Sequence, residues 1–169
     1  MAAPALAAPP LAALRVLRRI DAECRTREEA EHVADVLSGF LPPGVSYRVG
    51  VLELLLNAIE HGNLEIGGAH KGALLRAQRF EAELADRLAR EPYRSRRARA
   101  SLIITPDALV LEIRDDGPGF AWRQALAAEL AINDEPNGRG IALTRCTCFP
   151  GLSYRDPGNV AVVTLPCPT

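Results

Sequence analysis

The segment from Val49 to Ile59, VGVLELLLNAI, is apolar nearly all the way round a helix and therefore belongs inside a folded core. Glu53 and Asn57 interrupt it. Four residues apart, they share one helix face a turn from each other, with Glu60 and His61 continuing near that line. Leu52, Leu55, Leu56 and Ile59 form the opposite, core-contacting stripe. A carboxylate and an amide buried without partners are costly, so something must satisfy them. Either they bond to each other and to backbone groups, or they line a pocket. In a pocket, glutamate could accept a proton from a hydroxyl or water, and the asparagine carbonyl oxygen is a hard ligand suited to Mg²⁺.

The 169 residues suffice for one domain with a substantial core, expected over 14–169. A content of 48% hydrophobic and 24% charged residues is the balance of a soluble folded protein, and a net charge of -1 gives no general attraction to nucleic acid or an anionic membrane. No run of about eighteen apolar residues is present to span a bilayer. The start, MAAPALAAPPLAALRVLRR, lacks basic residues ahead of its apolar stretch and is broken by prolines; residues 1–13 read as a flexible Ala/Pro-rich tail, not a signal peptide. Cys24, Cys146, Cys148 and Cys167 have no paired metal-type spacing, so no zinc site is expected. Cys146 and Cys148, in TRCTCF, read as reduced thiols on a helix packed against the core of a cytoplasmic protein.

Along the chain, LRVLRRI reads as a first strand, and TREEAEHVADVLSGF as a helix with Thr26 and Glu29 at capping-box spacing and Ala30, Val33, Leu37 and Phe40 on one stripe. After LPPG the central helix is expected from Tyr47 to His61, with Gly62 as its stop. Residues 63–97 read as a helical insertion lying on the surface, with Leu74, Leu75, Phe80, Leu84 and Leu88 roughly on one side. ASLIIT and ALVLEIR form a hairpin, AWRQALAAELAINDEPN a mobile connection with a short helical piece, GRGIALTRCTCF a helix, and LSYRDPGNVAVVTL a second hairpin turning at DPGN. The expected fold is α+β, a mixed, mostly antiparallel sheet covered on one face by helices.

Two glycine-rich boxes stand downstream of the central helix. RDDGPGF closes a strand, and NGRGIAL places Gly138 and Gly140 directly ahead of an apolar helix, where backbone N–H groups could approach an anion. There is no Walker-type phosphate loop.

The ordered set Glu53-x-x-x-Asn57, Asp115-x-Gly117-x-Gly119 and Gly138-x-Gly140 resembles the ATP-binding site of the superfamily that includes gyrase and histidine kinases. Within it, ELLLNAIEHGN, RDDGPGF, NGRGIAL and PGNVAVVTL look most like the anti-sigma factor serine kinases of bacterial partner-switching systems, the RsbW type. The resemblance covers about residues 14 to 166 and implies the two-layer α/β sandwich of that superfamily, the Bergerat-type fold. It also implies ATP and Mg²⁺ as cofactors. Glu53 would be the general base on a substrate serine hydroxyl, Asn57 would hold Mg²⁺, and Asp115 would accept from the adenine amino group. Gly117 and Gly119 would shape the base pocket, and Gly138, Arg139 and Gly140 would meet the phosphates. The implied partners are a sigma factor and a STAS-type antagonist protein, which the kinase phosphorylates, and relatives commonly act as homodimers.

The sequence departs from the plain family pattern in the length of 63–97 and in a lid, about residues 120–137, with no basic residue just ahead of the second glycine box; Arg139 lies between the glycines instead. His61 reads as a capping and packing residue as readily as a ligand contact, Asp116 as a solvated turn residue, and Arg94, Arg96, Arg97 and Arg99 as a solvated face. Two alternatives are a nucleotide-sensing binding module that traps a partner without phosphoryl transfer and a histidine-kinase-type catalytic domain. The second ranks low, because no dimerisation helices with a phosphoacceptor histidine are seen.

Overall fold

The computed structural model describes residues 18–43, 45–127 and 140–167. The tail 1–13, the start of the expected first strand, much of the lid, and Gly138 and Arg139 lie outside the described residues. Five strands, β1 (Arg18–Cys24), β2 (Ala98–Ile104), β3 (Ala108–Arg114), β4 (Ser153–Arg155) and β5 (Val160–Pro166), form one sheet in the order β1-β2-β3-β5-β4. Every described pairing is antiparallel, so the expected mixed sheet is corrected: β2–β3 and β4–β5 are hairpins, and β1 meets β2 and β3 meets β5 antiparallel as well. The fold class is α+β.

Strand alternation sets the two faces of the sheet. By register, Ile20, Leu102, Leu111 and Val163 form one row across the sheet and Ala22, Ala100, Ile113, Ala161 and Tyr154 the next, all turned toward the core. On the opposite face Arg19, Asp21 and Ser101 bond to one another, and Arg155 pairs with Glu112. Among the described residues the first strand runs on past the expected end at Ile20 to Cys24, with Ile20, Ala22 and Cys24 in the inward positions. Burial pushes the Cys24 thiol up to about 12, leaving it inert.

Helix α1 (Arg27–Ser38) starts with the expected capping box: Glu29 N–H donates to Thr26 Oγ1 at 3.2 Å, and the Glu29 carboxylate accepts from the Thr26 N–H. Its buried stripe is Ala30, Ala34 and Leu37. Phe40, expected on that stripe, lies beyond the helix end and is 41% exposed. Helix α2 (Tyr47–Asn57) buries Val51, Leu54 and Leu55, and its Gly50 lets Cys148 and Phe149 pack within a distance that a Cβ would forbid. Tyr47 stacks on Phe149 at 5.5 Å. Phe149 is fully buried, worth roughly 2–3 kcal/mol of apolar transfer. These contacts fix helix α6 (Gly140–Thr147), which follows the short helix α5 (Trp122–Ala127) in the chain, against α2. Of the two cysteines expected on its packed side, Cys148 is buried just past the helix end, whereas Cys146 is exposed on the outer face.

The central helix does not end at His61. From Ala58 to Asn63 it widens into a π-helical turn, closed by Leu64 N–H donating to Ile59 O at 2.8 Å. Gly62 is therefore not a left-handed stop; it sits inside this turn. The widening carries Glu60 into the core, where it is 1% exposed.

The 63–97 insertion is helical, as expected, but broken and partly internal. Helices α3 (Gly68–Arg76) and α4 (Phe80–Ala89) meet at a reversal in which Gln78 takes a positive φ of 54°, and a 3₁₀ turn (Tyr93–Ser95) leads into β2. Phe80 and Leu84 enter the core, while Leu75 is 51% exposed. The arginines are structural staples, not a free solvated face: Arg96 donates to Asn63 O at 2.8 Å and pairs with Glu65, and Arg99 pairs with Asp116 at 2.7 Å. Lys71 of α3 reaches Glu60 at 2.5 Å, with Arg27 3.5 Å from the other carboxylate oxygen. Removing Lys71 leaves Arg27, 3.5 Å away, as the remaining counter-charge on buried Glu60. Lys71→Met is expected to lower stability by about 1–3 kcal/mol, and adding Glu60→Gln should recover part of the loss. Urea denaturation of the two single variants and the double variant checks this; additive losses would show that the pair is not coupled.

Candidate functional site

A cavity of about 680 Å³ lies between α2, α3, the start of α6 and the sheet row Ile113, Ala161 and Tyr154. Its size falls in the range of small-molecule and cofactor sites. Glu53, Asn57, Asp115, Gly119 and Gly140 all line it. These five come from three separate stretches of sequence, so the fold brings together what the sequence reading grouped. Gly117 stands one step back from the wall, and Gly138 and Arg139 cannot be placed because they lie outside the described residues.

Glu53 and Asn57 enter from the same face of α2, as their spacing requires, and both are half-buried. Gly140 abuts Glu53: a Cβ there would fall on Glu53 Oε1, closer than any real Cβ contact. The first turn of α6, whose N–H groups lack intrahelical acceptors, thus begins beside the carboxylate. Asn57 Nδ2 is buried with no hydrogen-bond partner. Asn63 Nδ2 and Glu60 Oε1, which lie off the cavity wall, are likewise buried without a hydrogen-bond partner among the described residues, so the orphaned donor does not by itself point to a ligand.

Asp115 follows β3 directly and is 8% exposed. Burial pushes its carboxyl up to about 6, against the pull of the Gly117 N–H, which donates to Asp115 Oδ1 at 2.8 Å. Its backbone is held on both sides by Asn159, through Asp115 N–H to Asn159 O at 3.0 Å and Asn159 Nδ2 to Asp115 O at 3.1 Å. Gly62 packs under the carboxyl and Gly117 against the Gly62 carbonyl, both too closely for a side chain. The π-helical turn is thus shaped to receive the aspartate loop. Asn63 completes the joint by accepting from the Asp116 N–H at 2.8 Å. Asp116, expected as a solvated turn residue, instead accepts from the Arg97 N–H at 3.0 Å and pairs with Arg99, tying the exit of the insertion to the site. His61 lines the cavity while its Nδ1 bonds the Ile66 carbonyl, so it serves the helix end and faces the site at once.

Gly119 has φ +80°, and a Cβ there would meet the Pro157 carbonyl, to which Phe120 N–H donates at 3.1 Å. The DPGN turn between β4 and β5 therefore does more than reverse the chain; it clamps the glycine loop. Its Asp156 also takes Trp122 Nε1 and both terminal nitrogens of Arg123 at 2.8 Å. Gly119→Ala combines left-handed strain with overpacking, and is expected to cost roughly 2–4 kcal/mol. Gly67→Ala is the control: its φ is −62° and an added Cβ meets nothing within 4 Å, so stability should hold or rise slightly. Chemical denaturation of both variants tests the contrast, and equal midpoints would refute it.

Sequence reasoning missed Tyr154, Asn63 and Asn159. Tyr154 is buried under the cavity, packed edge-on to Phe120 at 5.0 Å. Burial, with Asp115 and Glu53 nearby, pushes its phenol well above the ordinary range, so it stays a hydrogen-bond donor. Alternation in LSYRD could have placed it inward, but not beside these carboxylates. No cluster of His, Cys, Asp and Glu among the described residues could enclose a metal alone. Mg²⁺, though, keeps most of its water and is commonly held by one or two protein oxygens plus substrate phosphates. Asn57, whose carboxamide oxygen is a hard ligand and whose side chain lines the cavity one helix turn from Glu53, fits that mode.

No family model matches the chain, and no curated protein matches its sequence significantly. No helix among the described residues is long and apolar enough to cross a membrane.

Proposed function

We propose that this chain is an ATP-dependent protein serine kinase with the Bergerat-type nucleotide fold, acting as an anti-sigma factor whose substrate is a STAS-type antagonist protein. The observation that carries the proposal is the convergence of Glu53, Asn57, Asp115, Gly119 and Gly140 on one cavity of about 680 Å³. In this reading, Asp115 at the inner end accepts from the adenine amino group, and its ordered backbone and Gly117 contact pre-set the acceptor. Asn57 supplies an oxygen to Mg²⁺, which neutralises charge on the phosphates when bound. Glu53 stands where the start of α6 meets the cavity, so it can accept the serine proton as the hydroxyl attacks the terminal phosphorus and ADP leaves. Water is excluded on the sheet side by Ile113, Ala161 and Tyr154. The sigma factor and the antagonist follow from the motif resemblance alone.

The test is incubation of the full chain with Mg-ATP and its antagonist protein, read as phosphoserine on the antagonist. Nucleotide binding followed by phosphoserine supports the proposal. Binding without transfer would replace it with a nucleotide-sensing module, and no binding would remove both.

A further inference from the structure

Helix α3 belongs to the insertion that the sequence reading placed on the surface, yet one of its faces runs along the cavity. Gly68, Lys71, Gly72, Leu75 and Arg76 all line it, at the three- and four-residue spacing of one helix side. The glycines keep the first part of that face low, and the approach at Gly67 is open, since a Cβ there would meet nothing within 4 Å. The charge on the wall is uneven. Glu53 is a carboxylate, and a phosphate chain entering beside it needs compensating cations. Among the described lining residues, lysine and arginine come from α3 alone. Lys71 is already committed to buried Glu60 at 2.5 Å. Arg76 is exposed at the end of the helix and pairs with no carboxylate among the described residues, whereas Arg87 and Arg90 of the same insertion each pair with a carboxylate of α4.

We propose that α3 is a working wall of the cavity, in which Arg76 meets the phosphate chain of the bound nucleotide and Lys71 anchors the helix to the core through Glu60. Guanidinium is suited to this task, since its fork matches phosphate oxygens and its charge is permanent. The inference rests on the nucleotide reading of the cavity. It gives the insertion a role in affinity and in discrimination between nucleoside and nucleotide.

Equilibrium titration of the full chain with Mg-ATP, adenosine and inorganic triphosphate tests it, using wild type, Arg76→Glu and Arg76→Gln. The glutamine variant removes the charge without placing an anion at a helix C-terminus. Both variants are expected to weaken Mg-ATP and triphosphate by about tenfold or more, and to leave adenosine within about twofold of wild type. Circular dichroism should be unchanged, because Arg76 is exposed. Unchanged Mg-ATP affinity in both variants, or equal losses for Mg-ATP and adenosine, would overturn the role of Arg76 while the nucleotide site stands. Failure of the wild-type chain to bind Mg-ATP or adenosine would overturn the nucleotide reading itself, and the inference with it.

Discussion

Glu53→Gln is expected to abolish most phosphoryl transfer, by a factor of about 10²–10⁴, while ATP binding stays near wild type. The substitution keeps the shape of the side chain, which matters because Glu53 Oε1 lies against Gly140 with no room for an extra Cβ between them. It removes the one property the mechanism demands, the capacity to take a proton. A glutamate with only a structural role would behave differently: the amide would hydrogen-bond in its place and transfer would persist. Phosphoserine formation on the antagonist is the primary readout. The thermal shift on adding Mg-ATP is the control, since a ligand that binds only the folded chain raises its stability by mass action. Transfer within about tenfold of wild type would remove Glu53 from the role of base.

The site was legible in the sequence where local pattern and chemistry coincide. Glu53 and Asn57 stand out because a carboxylate and an amide on one face of an apolar helix must find partners or a pocket, and the capping box at Thr26 is a purely local device. Alternation in β2, β3 and β5 follows from one buried sheet face. What the sequence hides is where distant backbones touch. Gly62 reads as a helix stop because glycine usually ends helices by positive φ. Here it is glycine because the Asp115 carboxyl and the Gly117 backbone rest on it, beside the Asp116–Asn63 hydrogen bond that joins residues 53 apart in sequence. The broken insertion was misread for a similar reason. Its leucines suit one surface helix, but the turn at Gln78 lets Phe80 and Leu84 enter the core and turns α3 along the cavity. Tertiary contact, not propensity, decides each of these positions.

Asp115→Asn should make the ligand-free chain more stable near neutral pH and, at the same time, unable to hold ATP. The Asp115 carboxyl ordinarily titrates near 3.8 and is pushed up to about 6 by burial. Between those values the folded chain binds the proton more tightly than the unfolded one. The stabilisation from this group is therefore complete below pH 3.8 and lost as the pH rises through about 6. A shift of roughly two pH units corresponds to at most about 3 kcal/mol, so at pH 7 the neutral amide should unfold later than wild type, with the difference closing toward pH 4. The amide oxygen can still accept from the Gly117 N–H, which keeps the loop in place. In the proposed pose that choice would turn the amide nitrogen toward the adenine amino group, setting donor against donor. ATP affinity should fall about a hundredfold, and the thermal shift should vanish. In the wild type the ionised form is the better acceptor, so ATP affinity should weaken as the pH drops through about 6. Urea denaturation from pH 4 to 7, paired with Mg-ATP thermal shifts, checks both halves. A variant that is less stable at pH 7 and still binds ATP would show that Asp115 is a structural acid and not the seat of the base.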